Sequence, residues 1–288
     1  MAPYEGIIFW LSIVLYTLAT GLYLFSLVFG KKGAEKLGLW TVTVGFLLHS
    51  TAILIRWVAT GHIPTIGNYE NANFSAWGIM LFTVVFSFRS PGLRIVGLFS
   101  TPAAMFTMGF GVMSSPTLSP LVASLKSWWL YIHIIFAMLA YSAFFVAMAA
   151  AILYLVKERA EKAGKVASPD SPESPENPWI RRLPPLNEVD EIILKNVIYG
   201  FTAYAAMIGS GALWGKNLWG SYWRWDPVET WSLISWMIYG VILHLRVTMG
   251  WRGSRFCWMV IIAVPSVLLV FWGVNFAVES SLHIFNVR

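Results

Sequence analysis

Five histidines carry most of the metal-binding capacity of this 288-residue chain: His49, His62, His133, His244 and His283. His49 falls inside a charge-free apolar run over residues 37–55, and His244 inside another over 230–245. His133 lies about one helical turn into the run 127–156, and His283 just beyond the run 256–278. Zinc normally takes four ligands, and no Cys, Asp or Glu lies near His49 or His244 in sequence to complete such a set. The single cysteine, Cys257, excludes a disulfide framework and any CxxC site. A haem iron asks for less, because the porphyrin supplies its other ligands and two axial imidazoles suffice. Each histidine could instead be satisfied by a neighbouring hydroxyl or carbonyl, as most buried polar groups are. Two histidines within apolar runs and two at run ends weigh against so bland a role for all of them.

Arg56 follows His49 by seven residues, two turns along the same helical face and about 10 Å on at 1.5 Å per residue. That separation suits a haem with its iron at His49 and a propionate at Arg56. It equally suits an arginine snorkelling to the headgroups. His244 is two residues from Arg246, nearer the basic membrane face than His49 unless helix tilt closes the difference. The other concentration of chemistry is aromatic: six of the sixteen tryptophans fall between Trp214 and Trp236. An interfacial belt would spread them over many helix ends. Here Trp214, Trp219, Trp223 and Trp225 share one connecting segment with Gly215, Gly220 and Asp226-Pro227. Glycines let a flat ligand approach the backbone, and indole faces offer it a stacking surface.

The elements that must position these residues are membrane helices. The chain is 57% hydrophobic and 12% charged, against about 25% charged residues in ordinary soluble domains. Runs of the length a bilayer requires, roughly 20 residues, occur at 6–30, 37–55, 71–88, 95 to about 113, 127–156, 196–215, 230–245 and 256–278. They lack the alternation of barrel strands. The expectation is an all-α polytopic membrane protein with eight transmembrane helices. Fifteen of the twenty Lys and Arg residues fall on one face of that topology, which makes it cytoplasmic and puts both termini outside. The net charge of +6 is then topology and not a nucleic-acid footprint. The first run follows no basic segment and is too long for a signal peptide, so it reads as a retained helix. One integral domain over 1–288 results, with helices 1–5 in 1–156 and helices 6–8 in 191–288. Between them lies a cytoplasmic linker, 157–190, with six prolines, six basic and seven acidic residues.

The run Trp-Gly-Ser-Tyr-Trp-Arg-Trp-Asp-Pro-Val-Glu-Thr-Trp at 219–231 resembles the tryptophan-rich WWD signature of the haem-handling cytochrome c assembly proteins. Within that group the chain is most similar to the CcsA/ResC type of the system II pathway, over essentially its whole length. The resemblance implies that His49 and His244 are a transmembrane pair ligating haem b (heme b). It also implies that His133 and His283 flank the outer WWD segment, where Trp214, Trp219, Trp223, Trp225 and Asp226 hold haem for attachment. Arg56-Trp57, Gly61, Pro64, Tyr69 and Glu70 resemble the family's first outer loop, whereas Gly67-Asn68 departs from it. His62 and Cys257 match no family role and read as an exposed loop residue and a small buried or interfacial one. The implied activity is haem delivery within a holocytochrome c synthase. Its partners would be a ResB-like (CcsB-type) membrane protein, an apocytochrome c with a CxxCH motif, and lipid, in a bacterial inner membrane or a thylakoid. Two rivals differ from it: a b-type haem electron-transfer protein, and a haem exporter with no ligation role. The first commonly carries two histidines per helix, which this chain lacks.

Overall fold

The computed structural model describes residues 4–65, 67–114, 116–118, 126–164 and 179–270. Regular structure among them is entirely helical: α1 (Glu5–Phe29), α2 (Lys32–Thr60), α3 (Gly67–Arg89), α4 (Gly97–Val112), α5 (Trp128–Lys162), α6 (Leu186–Trp219), α7 (Pro227–Thr248) and α8 (Ser254–Leu268). A 3-10 segment, Pro91–Val96, leads into α4, and another, Ile180–Arg182, precedes α6. Among the described residues, seven spans are long and apolar enough to cross a membrane, Pro91–Val112 counting as one. The protein is therefore a multi-pass membrane protein. The eighth expected span is described only to Val270, and α8 itself has 15 residues.

Helix ends run past the apolar stretches. α5 continues through Lys157 to Lys162, where Lys157–Glu161 at 3.8 Å and Lys162–Glu158 at 3.1 Å are pairs four residues apart. Such pairs support a helix that has left the apolar layer. α6 begins at Leu186, ten residues before its charge-free run. Both ends of the expected linker are thus helical, and its proline-rich core, 165–178, lies outside the described residues.

The chain divides into two compact units, at Leu118, within α5 after Met148, and within α6 after Ile192. In the first unit α1 packs along α2, and α3 along α4. α1 buries Glu5, Phe9, Ser12, Tyr16, Ala19, Tyr23 and Ser26, spaced three or four apart, and exposes Ile7, Leu11, Val14 and Leu18. The buried stripe is the more polar one. Lipid is as apolar as leucine, so helices associate through small residues, close packing and hydrogen bonds. Gly45 lies under the Tyr16 ring, where a Cβ would sit 2.9 Å from Cε1, and Gly97 lies under Tyr23. Lys157 Nζ donates to the carbonyls of Leu183 at 2.9 Å and Pro184 at 2.7 Å, and Arg182 donates to the Gly30 carbonyl.

In the second unit the Phe144 ring of α5 stacks on Tyr239 of α7 at 3.6 Å, and Gly200 of α6 leaves room for it. Phe201 stacks on Trp236 at 4.8 Å. α7 and α8 join through a turn in which Gly250 and Gly253 take positive φ. The buried Arg246 closes that turn, donating to the Trp251 carbonyl at 3.2 Å with its guanidinium 4.9 Å from the Phe256 ring centroid. Cys257 is fully buried beside it in sequence, as a small core residue.

Candidate functional site

His49 is fully buried on α2. Its Nδ1 lies 3.3 Å from the Tyr16 hydroxyl of α1, while Nε2 has no hydrogen-bond partner. Asn73 of α3 faces the imidazole. The Asn73 amide nitrogen donates to the Tyr69 carbonyl at 3.0 Å, and its Oδ1 is also without a partner. A metal-bound histidine has this arrangement, one nitrogen anchored by a second group and the other left to the metal. The cavity that His49 and Asn73 line with Glu5, Arg56, Tyr69 and Glu70 has room for about one water molecule. A drug-sized ligand needs roughly 300–1,000 Å3, so the donor fits an iron but this cavity does not house a porphyrin.

Arg56 is 3% exposed and does not reach out of the packed helices as a snorkelling arginine would. Its Nε donates to Glu70 at 2.7 Å and its Nη1 to Glu5 at 2.9 Å. The Pro116 carbonyl accepts from Nη1 at 3.2 Å and Nη2 at 3.3 Å, and Thr117 accepts from Nη2 at 2.9 Å. The Tyr69 ring lies beneath the guanidinium at 4.8 Å. Every nitrogen of the group is committed to the chain's own acceptors. A propionate at Arg56 would have to displace one of them. His62 is a correction: the expected exposed loop residue is 5% exposed, with Nδ1 2.9 Å from the Ile63 carbonyl.

The Trp-rich segment is built in the second unit. His133 of α5 is half-buried and places Nδ1 2.8 Å from the Met207 carbonyl of α6. A carbonyl only accepts, so Nδ1 carries the proton and a neutral ring keeps its lone pair on Nε2. Gly211 makes this possible, since a Cβ there would lie 2.8 Å from Nδ1. The imidazole is 6.5 Å from the buried Trp214 ring, which in turn is 5.4 Å from Trp219. Histidine and tryptophans distant in sequence thus meet in one place. Trp223 and Trp225 form an edge-to-face pair at 5.9 Å. The Trp223 indole N–H is buried without a partner, a donor suited to a carboxylate.

Asp226 is 5% exposed and serves as the N-cap of α7: its carboxylate accepts from the Val228 N–H at 3.0 Å, and Glu229 reaches back to the Asp226 N–H at 3.3 Å. Asp-Pro-Val-Glu is a capping box with proline at the first helical position. This role was readable from the spacing alone. Trp225 just before it has φ 58°, a left-handed conformation that costs a non-glycine residue about 1–3 kcal/mol. His244 belongs to the same unit, but its imidazole is on an exposed face of α7, with Nδ1 3.3 Å from Thr248 Oγ1. His49 belongs to the other unit, and His283 lies outside the described residues. Among the described residues no group of three or more His, Cys, Asp or Glu could hold a metal ion.

Comparison with known proteins identifies relatives of the chain. The family model described as "Cytochrome C assembly protein" matches residues 65–282. A "Cytochrome c biogenesis protein CcsA" from Guillardia theta is 30% identical, over 88% of this chain and 87% of that protein. Another so named, from Porphyra purpurea, is 33% identical over 88% and 89%. One from Prochlorococcus marinus (strain MIT 9215) is 29% identical over 86% and 84%. Among solved structures, "Cytochrome c Heme Lyase CcmF" superposes with a TM-score of 0.65 at 20% identity, over 96% of this chain. The chain spans half the length of that protein, and the likeness is one of fold. With the family model covering most of its length and two relatives at 30% identity or more, the chain belongs to the cytochrome c assembly protein family, as a CcsA-type member.

Proposed function

We propose that this chain acts in cytochrome c biogenesis as the haem-binding membrane subunit of a holocytochrome c synthase. It carries haem b to the outer face and presents it for thioether attachment to an apocytochrome. The observation that carries this reading is His133 packed against Trp214 with its Nδ1 committed to the Met207 carbonyl. The neutral ring then has its lone pair on Nε2, in the same unit as the Trp-rich segment, where the half-buried Trp219 and the exposed Trp225 offer indole faces on which a porphyrin can stack. His283 would be the second outer ligand, and Trp219, Trp223 and Trp225 the walls. The buried Trp223 N–H supplies a donor for a propionate, and Asp226 acts through the loop as the cap that ends it. His49, its ring oriented by Tyr16, and His244 are each proposed as ligands at membrane depth, and a haem at His49 requires the cavity beside it to widen. Haem supplies the vinyl groups that the apocytochrome thiols attack. This chain's own side chains hold and orient it, a proximity contribution. A ResB-like partner, eight spans with both termini outside, and a bacterial inner or thylakoid membrane complete the proposal.

The test is holocytochrome yield in cells with haem supplied outside, together with absorption spectra of the purified chain and its partner. His133→Ala and His283→Ala should each lower yield and change the spectrum. Full yield from both variants would refute the outer site and leave haem export as the reading. Turnover against a quinone would favour the b-type cytochrome.

A further inference from the structure

We propose that Glu229 poses the Trp225 indole, and is therefore a positioning residue of the haem platform. The proposal rests on reading the Trp-rich segment as that platform. Trp225 combines two features that seldom coincide: a left-handed backbone with φ 58°, and a side chain 70% exposed. Burial does not hold it there. The groups on either side do. The Arg224 N–H donates to Glu229 Oε2 at 2.8 Å, and the Asp226 N–H donates to the same oxygen at 3.3 Å. One carboxylate oxygen thus gathers the N–H groups before and after Trp225, and the turn between them closes around it.

A capping box requires only the second of these bonds, from Glu229 back to the N-cap residue. The bond to Arg224 reaches two residues further, past the cap, and serves no purpose in starting α7. Its effect falls on Trp225. Pro227 adds to the rigidity, since its φ is locked and it has no N–H to offer. Cap, proline and clamp together make Trp225 a preset element and not a loose loop residue. A stacking surface that is already in place spares the ordering cost of binding a flat ligand.

The experiment uses the full chain, labelled with 5-fluorotryptophan and studied by 19F NMR, with the Trp225 resonance assigned by its loss in Trp225→Phe. In Glu229→Ala the resonance should shift or broaden. In Glu229→Gln it should stay, because the side-chain amide oxygen accepts the same two N–H groups. Holocytochrome yield should follow the resonance, falling roughly fivefold or more in Glu229→Ala, the factor that about 1 kcal/mol of lost preference gives. An unmoved Trp225 resonance in Glu229→Ala overturns the proposal, whatever the yield. A moved resonance with full yield overturns Trp225 as part of the platform, and with it the functional half of the proposal, while the clamp itself stands.

Discussion

Replacing Arg56 by leucine separates two roles for this residue. The guanidinium binds Glu5 and Glu70 at 2.9 and 2.7 Å, with all three side chains nearly inaccessible. Arg56→Leu takes the guanidinium from two buried carboxylates, and the carbonyls of Pro116 and Thr117 lose the donor it supplies. Deleting one partner of a buried ion pair costs about 3–5 kcal/mol. Arg56 serves two carboxylates at once, which puts the variant toward the upper end, less whatever a proton taken up by one carboxyl recovers. The assay is unfolding of the purified full chain in detergent, followed by circular dichroism, for wild type, Arg56→Leu and the triple variant Glu5→Gln/Arg56→Leu/Glu70→Gln. The triple variant removes both stranded charges and should recover about 2 kcal/mol or more of the loss. Arg56→Leu within about 0.5 kcal/mol of wild type, as for an ordinary surface change, would refute the reasoning. So would a triple variant no more stable than the single one. A variant of full stability that loses only its haem would return Arg56 to propionate recognition.

Three further outcomes follow from close contacts. Gly211→Ala should push the His133 ring off the Met207 carbonyl, because the new Cβ would lie 2.8 Å from Nδ1; its haem spectrum should match that of His133→Ala, and a wild-type spectrum would contradict this. Asp226→Ala should weaken the start of α7 by about 0.5–2 kcal/mol, seen as faster amide exchange over 228–230, while Asp226→Asn should not. Gly97→Ala should destabilise the first unit by about 1–3 kcal/mol through overpacking against Tyr23. Thermal unfolding in detergent checks this, and Tyr23→Leu in the same chain should restore much of the loss.

The positions of the membrane helices were legible because a long apolar run has one stable solution in lipid, a helix that satisfies its own backbone. Their ends were not. Lys32, Lys162 and Leu186 all lie beyond the apolar runs, since a helix persists wherever its hydrogen bonds and side-chain pairs hold, and hydropathy marks only the part suited to lipid. His133 and Trp214 were legible as candidates by type and place. What joins them was not, because the Met207 carbonyl and the empty space at Gly211 leave no mark on residue type.

Arg56 shows where the division falls. Its distance of two turns from His49 followed from helix geometry alone, and so did two possible partners for its charge. Glu5, 51 residues earlier in the chain, and Glu70 in the next helix became its partners only when α1 and α3 packed against α2. Composition and periodicity determine which residues share a helix face and which helices suit a membrane. Which charge meets which, and whether a donor is left over for a ligand, is a property of side chains brought together across helices. A buried guanidinium must be neutralised by whatever the packing supplies, and that is decided in three dimensions.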